Sequence, residues 1–206
     1  MENSIIGLNP RQLITLASKI LYDKGLNNMF DGNISLRIGD KVLITPSGVP
    51  KPFMTPDMIV ELDINGKTVS GKLKPSIETR LHLGIYRRDI EARAIVHSHN
   101  PLTTLVAEVL RERFPEEVVE KSIEAPLYIT SGISIVGKYP PGSRELSEEV
   151  LKKYSGVNQV IVLLGHGVVA VSTDLFKALY LVELLEKASL QILAERVLKL
   201  TPQIVV

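Results

Sequence analysis

The sequence predicts an α/β fold in which helices flank a mixed, largely antiparallel central sheet. Three observations carry that expectation. Short alternating segments are joined by the hairpin dipeptides Gly39-Asp40 and Asn65-Gly66, and such turns set neighbouring strands antiparallel. Two dense apolar runs, Ala92–Ser98 and Val160–Leu164, read as buried strands. Between and after them lie helical stretches, of which Asp174–Leu198 is long and amphipathic. A parallel doubly wound sheet would not contain so many hairpins.

The elements follow in order. Asn9-Pro10 is an N-cap with proline at the first helical position, and Leu13, Leu16, Ala17, Ile20 and Leu21 share one helical face up to Gly25. Ile34–Ile38 and Lys41–Ile44 form one hairpin, and Ile59–Asp63 with Lys67–Gly71 a second. Pro75-Ser76 precedes a helix over Ile77–Arg87, and Pro101 opens another to Arg113. Short strands are expected at Ser122–Pro126 and Ser134–Val136, and Ser143 caps a helix to Tyr154. After Val160–Leu164, Gly165-His166-Gly167 interrupts the strand and Val168–Val171 continues it. No repeat, low-complexity segment or long linker interrupts residues 1–206, so one domain is expected.

Composition narrows the classes. The chain is 45% apolar and 23% charged with a net charge of +1, and it has neither basic arm nor acidic tail, so neither nucleic acid nor a membrane surface is expected as partner. The longest apolar run, Val160–Ser172, falls short of the ~20 residues a bilayer span needs. There are no cysteines, which removes disulfides, thiolate ligands and a cysteine nucleophile. A cytoplasmic location is the expectation.

Two of the four histidines stand one residue apart in "AIVHSHN". On a strand His97 and His99 point to one face, with Cα atoms roughly 6.5–7 Å apart, close enough to share an ion at Zn–N bonds of about 2.1 Å. The competing explanation is two polar residues at a strand end. His166, between glycines in "LLGHGVV", lies in an apolar run where an unsatisfied imidazole is costly, and beside His97 and His99 it is the expected third ligand. Three protein ligands leave a coordination position open, as a catalytic zinc requires. His82 lies one helical turn after Glu78 and is expected to be structural. Glu78 begins a helix, where the dipole alone would favour it. Around it, Pro75-Ser76, Thr45-Pro46-Ser47-Gly48 and Asp31-Gly32-Asn33 are turns rich in neutral donors, able together to hold a phosphate without lysine or arginine. No lysine stands in a setting that would depress its pKa.

The segments "DGNISLR", "LITPSGVPK", "GKLKPSIETRLHLGIY", "AIVHSHNPLTTLVA", "PPGSRELSEEV" and "LLGHGVVAV" together resemble the class II aldolase/adducin-head family, and within it the branch of the L-fuculose-1-phosphate aldolases. The resemblance implies a three-layer fold, a homotetramer with active sites between subunits, and one divalent ion per subunit, normally Zn2+, on His97, His99 and His166. It makes Glu78 the catalytic acid/base and places the sugar phosphate at Asn33, Ser47, Gly48 and Ser76, with Gly32 and Thr45 flanking. Ile77 stands where many members have a second serine, leaving only its backbone N–H for phosphate. The aldolases have a longer tail bearing a tyrosine, whereas this chain ends "KLTPQIVV" with no tyrosine after Tyr180; Tyr128 or Tyr139 is the substitute the sequence offers. The implied activity is reversible cleavage of a ketose 1-phosphate to dihydroxyacetone phosphate and a short aldehyde through a metal-stabilised enediolate. Rhamnulose- or deoxyribulose-1-phosphate cleavage, sugar-phosphate epimerisation, methylthioribulose-1-phosphate dehydration and a non-catalytic adducin-like scaffold are the alternatives on the same fold.

Overall fold

The computed structural model describes residues 7–200; the end of the "KLTPQIVV" tail lies outside them. Asn9 accepts hydrogen bonds from the N–H groups of Arg11 and Gln12, and Gln12 accepts one from Asn9. This capping box starts α1 (Pro10–Asp23). The two hairpin turns then yield an antiparallel meander of β1 (Asn33–Ile38), β2 (Lys41–Ile44), β3 (Val60–Asp63) and β4 (Thr68–Ser70). Next come α2 (Thr79–Arg88), β5 (Ala94–Ser98), α3 (Pro101–Leu110), α4 (Phe114–Lys121) and α5 (Glu124–Tyr128). The chain continues through β6 (Ile133–Val136), α6 (Arg144–Lys153), β7 (Gln159–Leu163), β8 (Gly167–Ser172) and α7 (Leu175–Leu200).

Among the described residues the strands form one sheet in the order β4-β3-β2-β1-β5-β8-β7-β6, parallel only between β6 and β7. β5 is central, paired with β1 on one side and β8 on the other. Alternation divides its side chains between two cores. Ala94 and Val96 join Val168 and Ala170 under α1, α3 and α7. Ile95 joins Val169 and Val171 under α2 and α6. Helices cover both faces here, which is why these strands are apolar throughout, and each fully buried Ile or Val contributes about 1.5–3 kcal/mol. His97 follows Ile95 on the α2 side and stands opposite Asn33 on β1 and Val169 on β8.

The structure corrects four of the sequence expectations. The helix from Pro101 stops at Leu110, where Arg111 takes φ 52°, and a new helix begins with Pro115 in its first turn. Ser122–Pro126 is no strand: the Ser122 hydroxyl accepts from the Ala125 N–H and the chain turns into α5. Gly165-His166-Gly167 does not interrupt one strand but reverses the chain between antiparallel β7 and β8, with Gly165 at φ +67°. α2 begins two residues late, because Ser76 folds residues 76–79 into a turn that its hydroxyl and carbonyl hold through the Glu78 and Thr79 N–H groups. Glu78 therefore precedes the helix instead of lying in its first turn. No described helix is long and apolar enough to cross a membrane.

Candidate active site

The sheet brings His97, His99 and His166 together. His97 is the penultimate residue of β5, His99 lies just past the strand's end, and the β7–β8 turn carries His166 beside them. Ring centroids are 4.8–4.9 Å apart in all three pairs, and one ligating atom from each lies within 4.8 Å of the others. His97 Nδ1 is 2.9 Å from the Val168 carbonyl. A carbonyl only accepts, so Nδ1 carries the proton and Nε2 offers its lone pair. That Nε2 is 3.1 Å from His99 Nε2. His99 is fixed by its N–H, which donates to Leu26 O and Asn27 Oδ1, and its Nδ1 is 3.5 Å from Asp31 Oδ2.

The Glu78 carboxylate closes the group. It is 4% exposed, with Oε2 3.2 Å from His97 Nε2 and Oε1 3.8 Å from His166 Nε2. Asn33 Nδ2 donates to Oε2 at 2.8 Å. Burial pushes this carboxyl up, but His97, the Asn33 donor and the other histidines outweigh it and hold it down at about 2. Burial first, and the neighbouring His97 next, hold His99 down at about 3 and His166 at about 4. The carboxylate is thus ionised and these two rings neutral at neutral pH, the states in which they ligate metals.

Two buried polar atoms here, Glu78 Oε1 and His166 Nδ1, have no hydrogen-bond partner, an arrangement that costs free energy unless a further group satisfies it. Converging imidazoles with an adjacent carboxylate and no thiolate form a donor set for a borderline divalent cation. The residues fit such an ion, and Glu78 lies close enough to be a fourth donor as well as a base, a role the sequence did not suggest.

Beside the histidines is a cavity of about 190 Å³ lined by Gly32, Asn33, Ser47, Gly48, Ser76 and Ile77 together with Glu78, His99 and His166. The Ser47 N–H is engaged by Lys74 O and the Ser76 N–H by Thr45 O. Thr45 does not line the cavity: it is fully buried, and its hydroxyl accepts from the Ile34 N–H. Asn33 lines the cavity, but its amide is engaged at both ends, by Glu78 and by His82. His82 is fully buried and outside the trio, as its structural reading expected. Neither Tyr128 nor Tyr139 of this chain lines the cavity; Tyr128 packs edge-on against Tyr180.

Lys51 overturns the expectation that no lysine is perturbed. It is 3% exposed, lines the cavity, and donates from Nζ to the carbonyls of Phe30 and Val49. Burial lowers its pKa, opposed by Asp31. Donation to two carbonyls makes Nζ an anchor that joins the Phe30 and Val49 loops, so the cavity does have a lysine in its wall. Nothing in "GVPKPF" signals this burial, which depends on the fold of two separate loops.

Comparison with known proteins gives this geometry a lineage. The model of the class II aldolase and adducin N-terminal domain matches residues 12–193. The L-fuculose phosphate aldolase of Methanocaldococcus jannaschii is 34% identical over 87% of this chain and 93% of that protein. A 5-methylthioribulose-1-phosphate/5-deoxyribulose-1-phosphate aldolase of Escherichia coli O45:K1 is 36% identical over 82% of this chain and 78% of its own length. A 3-oxo-tetronate 4-phosphate decarboxylase of Haemophilus influenzae is 30% identical over 88% and 86%. Among solved structures, a sugar-phosphate aldolase from Thermotoga maritima superposes with a TM-score of 0.80 at 28% identity, covering 93% of this chain and 96% of that one. With a family match over nearly its whole length and the histidine–glutamate group in place, the chain belongs to the class II aldolase and adducin family.

Proposed function

We propose that the chain is a zinc-dependent aldehyde-lyase that reversibly cleaves a ketose 1-phosphate of the L-fuculose 1-phosphate type into dihydroxyacetone phosphate and a short aldehyde. The observation that carries the reading is the buried Glu78 carboxylate, 3.2 Å from His97, at the wall of a donor-lined cavity. His97, His99 and His166 would hold the ion, which when bound supplies a Lewis acid to the carbonyl and neighbouring hydroxyl oxygens of the sugar. The Ser47 and Ser76 hydroxyls, the Gly48 and Ile77 N–H groups and the free Asn33 amide N–H would take the phosphate, with Gly32 and Thr45 shaping the turns that present them and the Lys51 ammonium balancing charge. In condensation Glu78 removes the proton from the carbon beside the carbonyl, the electron pair left there forms the bond to the aldehyde carbon, the aldehyde's C=O pair moves onto its oxygen, and that oxygen takes up a proton from water while Glu78 gives its own back to solvent. In cleavage the hydroxyl gives up its proton to water and re-forms the C=O as the carbon–carbon bond breaks, the bond electrons stay on the carbon beside the carbonyl, and that carbon takes a proton from Glu78, which has picked one up from solvent.

The methylthioribulose/deoxyribulose relative supports a second reading, the same bond cleavage with a different aldehyde, and the decarboxylase relative supports loss of carbon dioxide from a similar acid. A coupled assay separates them. Each of L-fuculose, L-rhamnulose, 5-deoxyribulose and 5-methylthioribulose 1-phosphate, and 3-oxo-tetronate 4-phosphate, is offered with and without chelator. The proposal expects chelator-sensitive release of dihydroxyacetone phosphate, fastest from the fuculose ester; release from none of them would contradict it. One domain over residues 1–206, a cytoplasmic setting and a homotetramer belong to the same proposal. Exposed apolar side chains at Val109, Ile123 and Leu127 support the assembly, and light scattering would count the subunits.

A further inference from the structure

Glu78 is the near end of a buried hydrogen-bond chain that reaches the far side of the core. Asn33 Nδ2 donates to Glu78 Oε2 at 2.8 Å. Asn33 Oδ1 is 2.6 Å from His82 Nε2. His82 Nδ1 is 2.7 Å from Ser35 Oγ, and that oxygen is 2.8 Å from the Tyr86 hydroxyl, which also donates to Ser35 O at 3.0 Å. His82, Ser35 and Tyr86 are at most 1% exposed, and Asn33 is 7% exposed.

Chemistry fixes the bond directions from Glu78 as far as Ser35. An ionised carboxylate only accepts, so Asn33 turns its NH2 to Glu78 and its carbonyl to His82. That carbonyl requires N–H on Nε2, which leaves Nδ1 as the acceptor of the Ser35 hydroxyl proton. An asparagine amide has two orientations of nearly the same shape. Flipped, Asn33 would set its oxygen against the carboxylate and its NH2 against the ring N–H on its other side, so a partner there reinforces the orientation the carboxylate favours. His82 is that partner. It comes from α2, four residues after Glu78, so one stretch of chain supplies both the carboxylate and the ring that orients the carboxylate's donor across the gap to β1.

We propose that His82 is a positioning residue for Glu78: its Nε2–H locks the Asn33 amide in the orientation that holds the carboxylate over the histidine trio. It touches neither substrate nor ion and acts through Asn33 alone. The proposal rests on Glu78 being the base of the reaction above, but the state of the Asn33 amide can be read without that reaction.

The test compares two amide replacements of similar polarity. In His82→Gln the side-chain NH2 reaches the place of Nε2; in His82→Asn it reaches only the place of Nδ1. With both proteins folded and loaded with zinc, His82→Asn is expected to lower kcat by about 10- to 100-fold with a much smaller change in KM, and His82→Gln to recover most of kcat. Equal behaviour of the two variants, whether both active or both impaired, would overturn the proposal. Nuclear magnetic resonance of the Asn33 side-chain NH2 gives a reading free of turnover. Two well-separated, slowly exchanging protons are expected in the wild type and His82→Gln, and averaged, fast-exchanging ones in His82→Asn; an unchanged signal in His82→Asn would overturn it. If the wild type cleaves no sugar phosphate, the reaction assignment fails and the amide signal still decides this point. Should His82→Asn not fold, Ser35→Ala replaces it by releasing the imidazole tautomer: a loosened Asn33 signal supports the proposal, and an unchanged one contradicts it.

Discussion

At the scale of single residues, the site is a problem of holding charge and lone pairs in place. His97 is locked by the Val168 carbonyl, His99 by the Leu26 and Asn27 acceptors, and Glu78 by the Asn33 amide. With the buried Glu78 carboxylate closing this group, Glu78→Gln is expected to retain the ion and to slow hydrogen–deuterium exchange at the reacting carbon of dihydroxyacetone phosphate by about 10²- to 10⁴-fold. Exchange at the wild-type rate would remove Glu78 from its role. The grouping of the three histidines was legible in the sequence because two share a strand period and the third interrupts an apolar run. Lys51 and the second partner of Asn33 were not, since each depends on which loop or helix folds over it, and no local pattern encodes that.

At the scale of elements, the close approach of β5 to the β7–β8 turn on one side and to the chain entering β1 on the other is what assembles the site, and one glycine permits each. A Cβ on Gly167 would sit 2.3 Å from the Ser98 carbonyl oxygen and 3.0 Å from His97 Cε1. Gly32, at φ +66°, would place one 2.6 Å from the His97 carbonyl oxygen. Both obstructions include backbone, which cannot swing aside. Gly167→Ala is therefore expected to cost about 1–3 kcal/mol in urea unfolding and to weaken metal retention; a wild-type midpoint with full metal would show that the turn has slack. The hairpins were readable from Asn-Gly and Gly-Asp, whose backbone preferences are local. The β7–β8 reversal was misread as one interrupted strand, because Gly-His-Gly within valines and leucines suits a bulge as well as a turn. α5 was missed because Ser122–Pro126 is too short to show any period.

At the scale of the whole molecule, the buried network couples stability to pH. Burial, opposed by the neighbouring Glu78, holds His82 at about 3, below its ordinary 6.5. Between those values the unfolded chain binds a proton that the folded chain refuses, so stability falls as pH drops from about 6.5 toward 3. Glu78, held at about 2 against an ordinary 4.5, adds a loss in the same direction at lower pH. Urea midpoints are expected to decline from pH 7 to pH 4, and less steeply in His82→Gln, which cannot titrate there. Parallel decline in both proteins would place the proton uptake elsewhere. The fold itself, a sheet buried under helices on both faces with its central strand ending in histidines, was largely legible because runs, hairpins and caps agree with one another.

The central claim is that three imidazoles gather one divalent ion beside a buried carboxylate, and elemental analysis of the purified, zinc-equilibrated chain tests it most directly. The account predicts close to one zinc per chain, retained in Glu78→Gln and lost in folded His97→Ala and His166→Ala. Zinc absent from the wild type, or bound equally by the histidine variants, would contradict it.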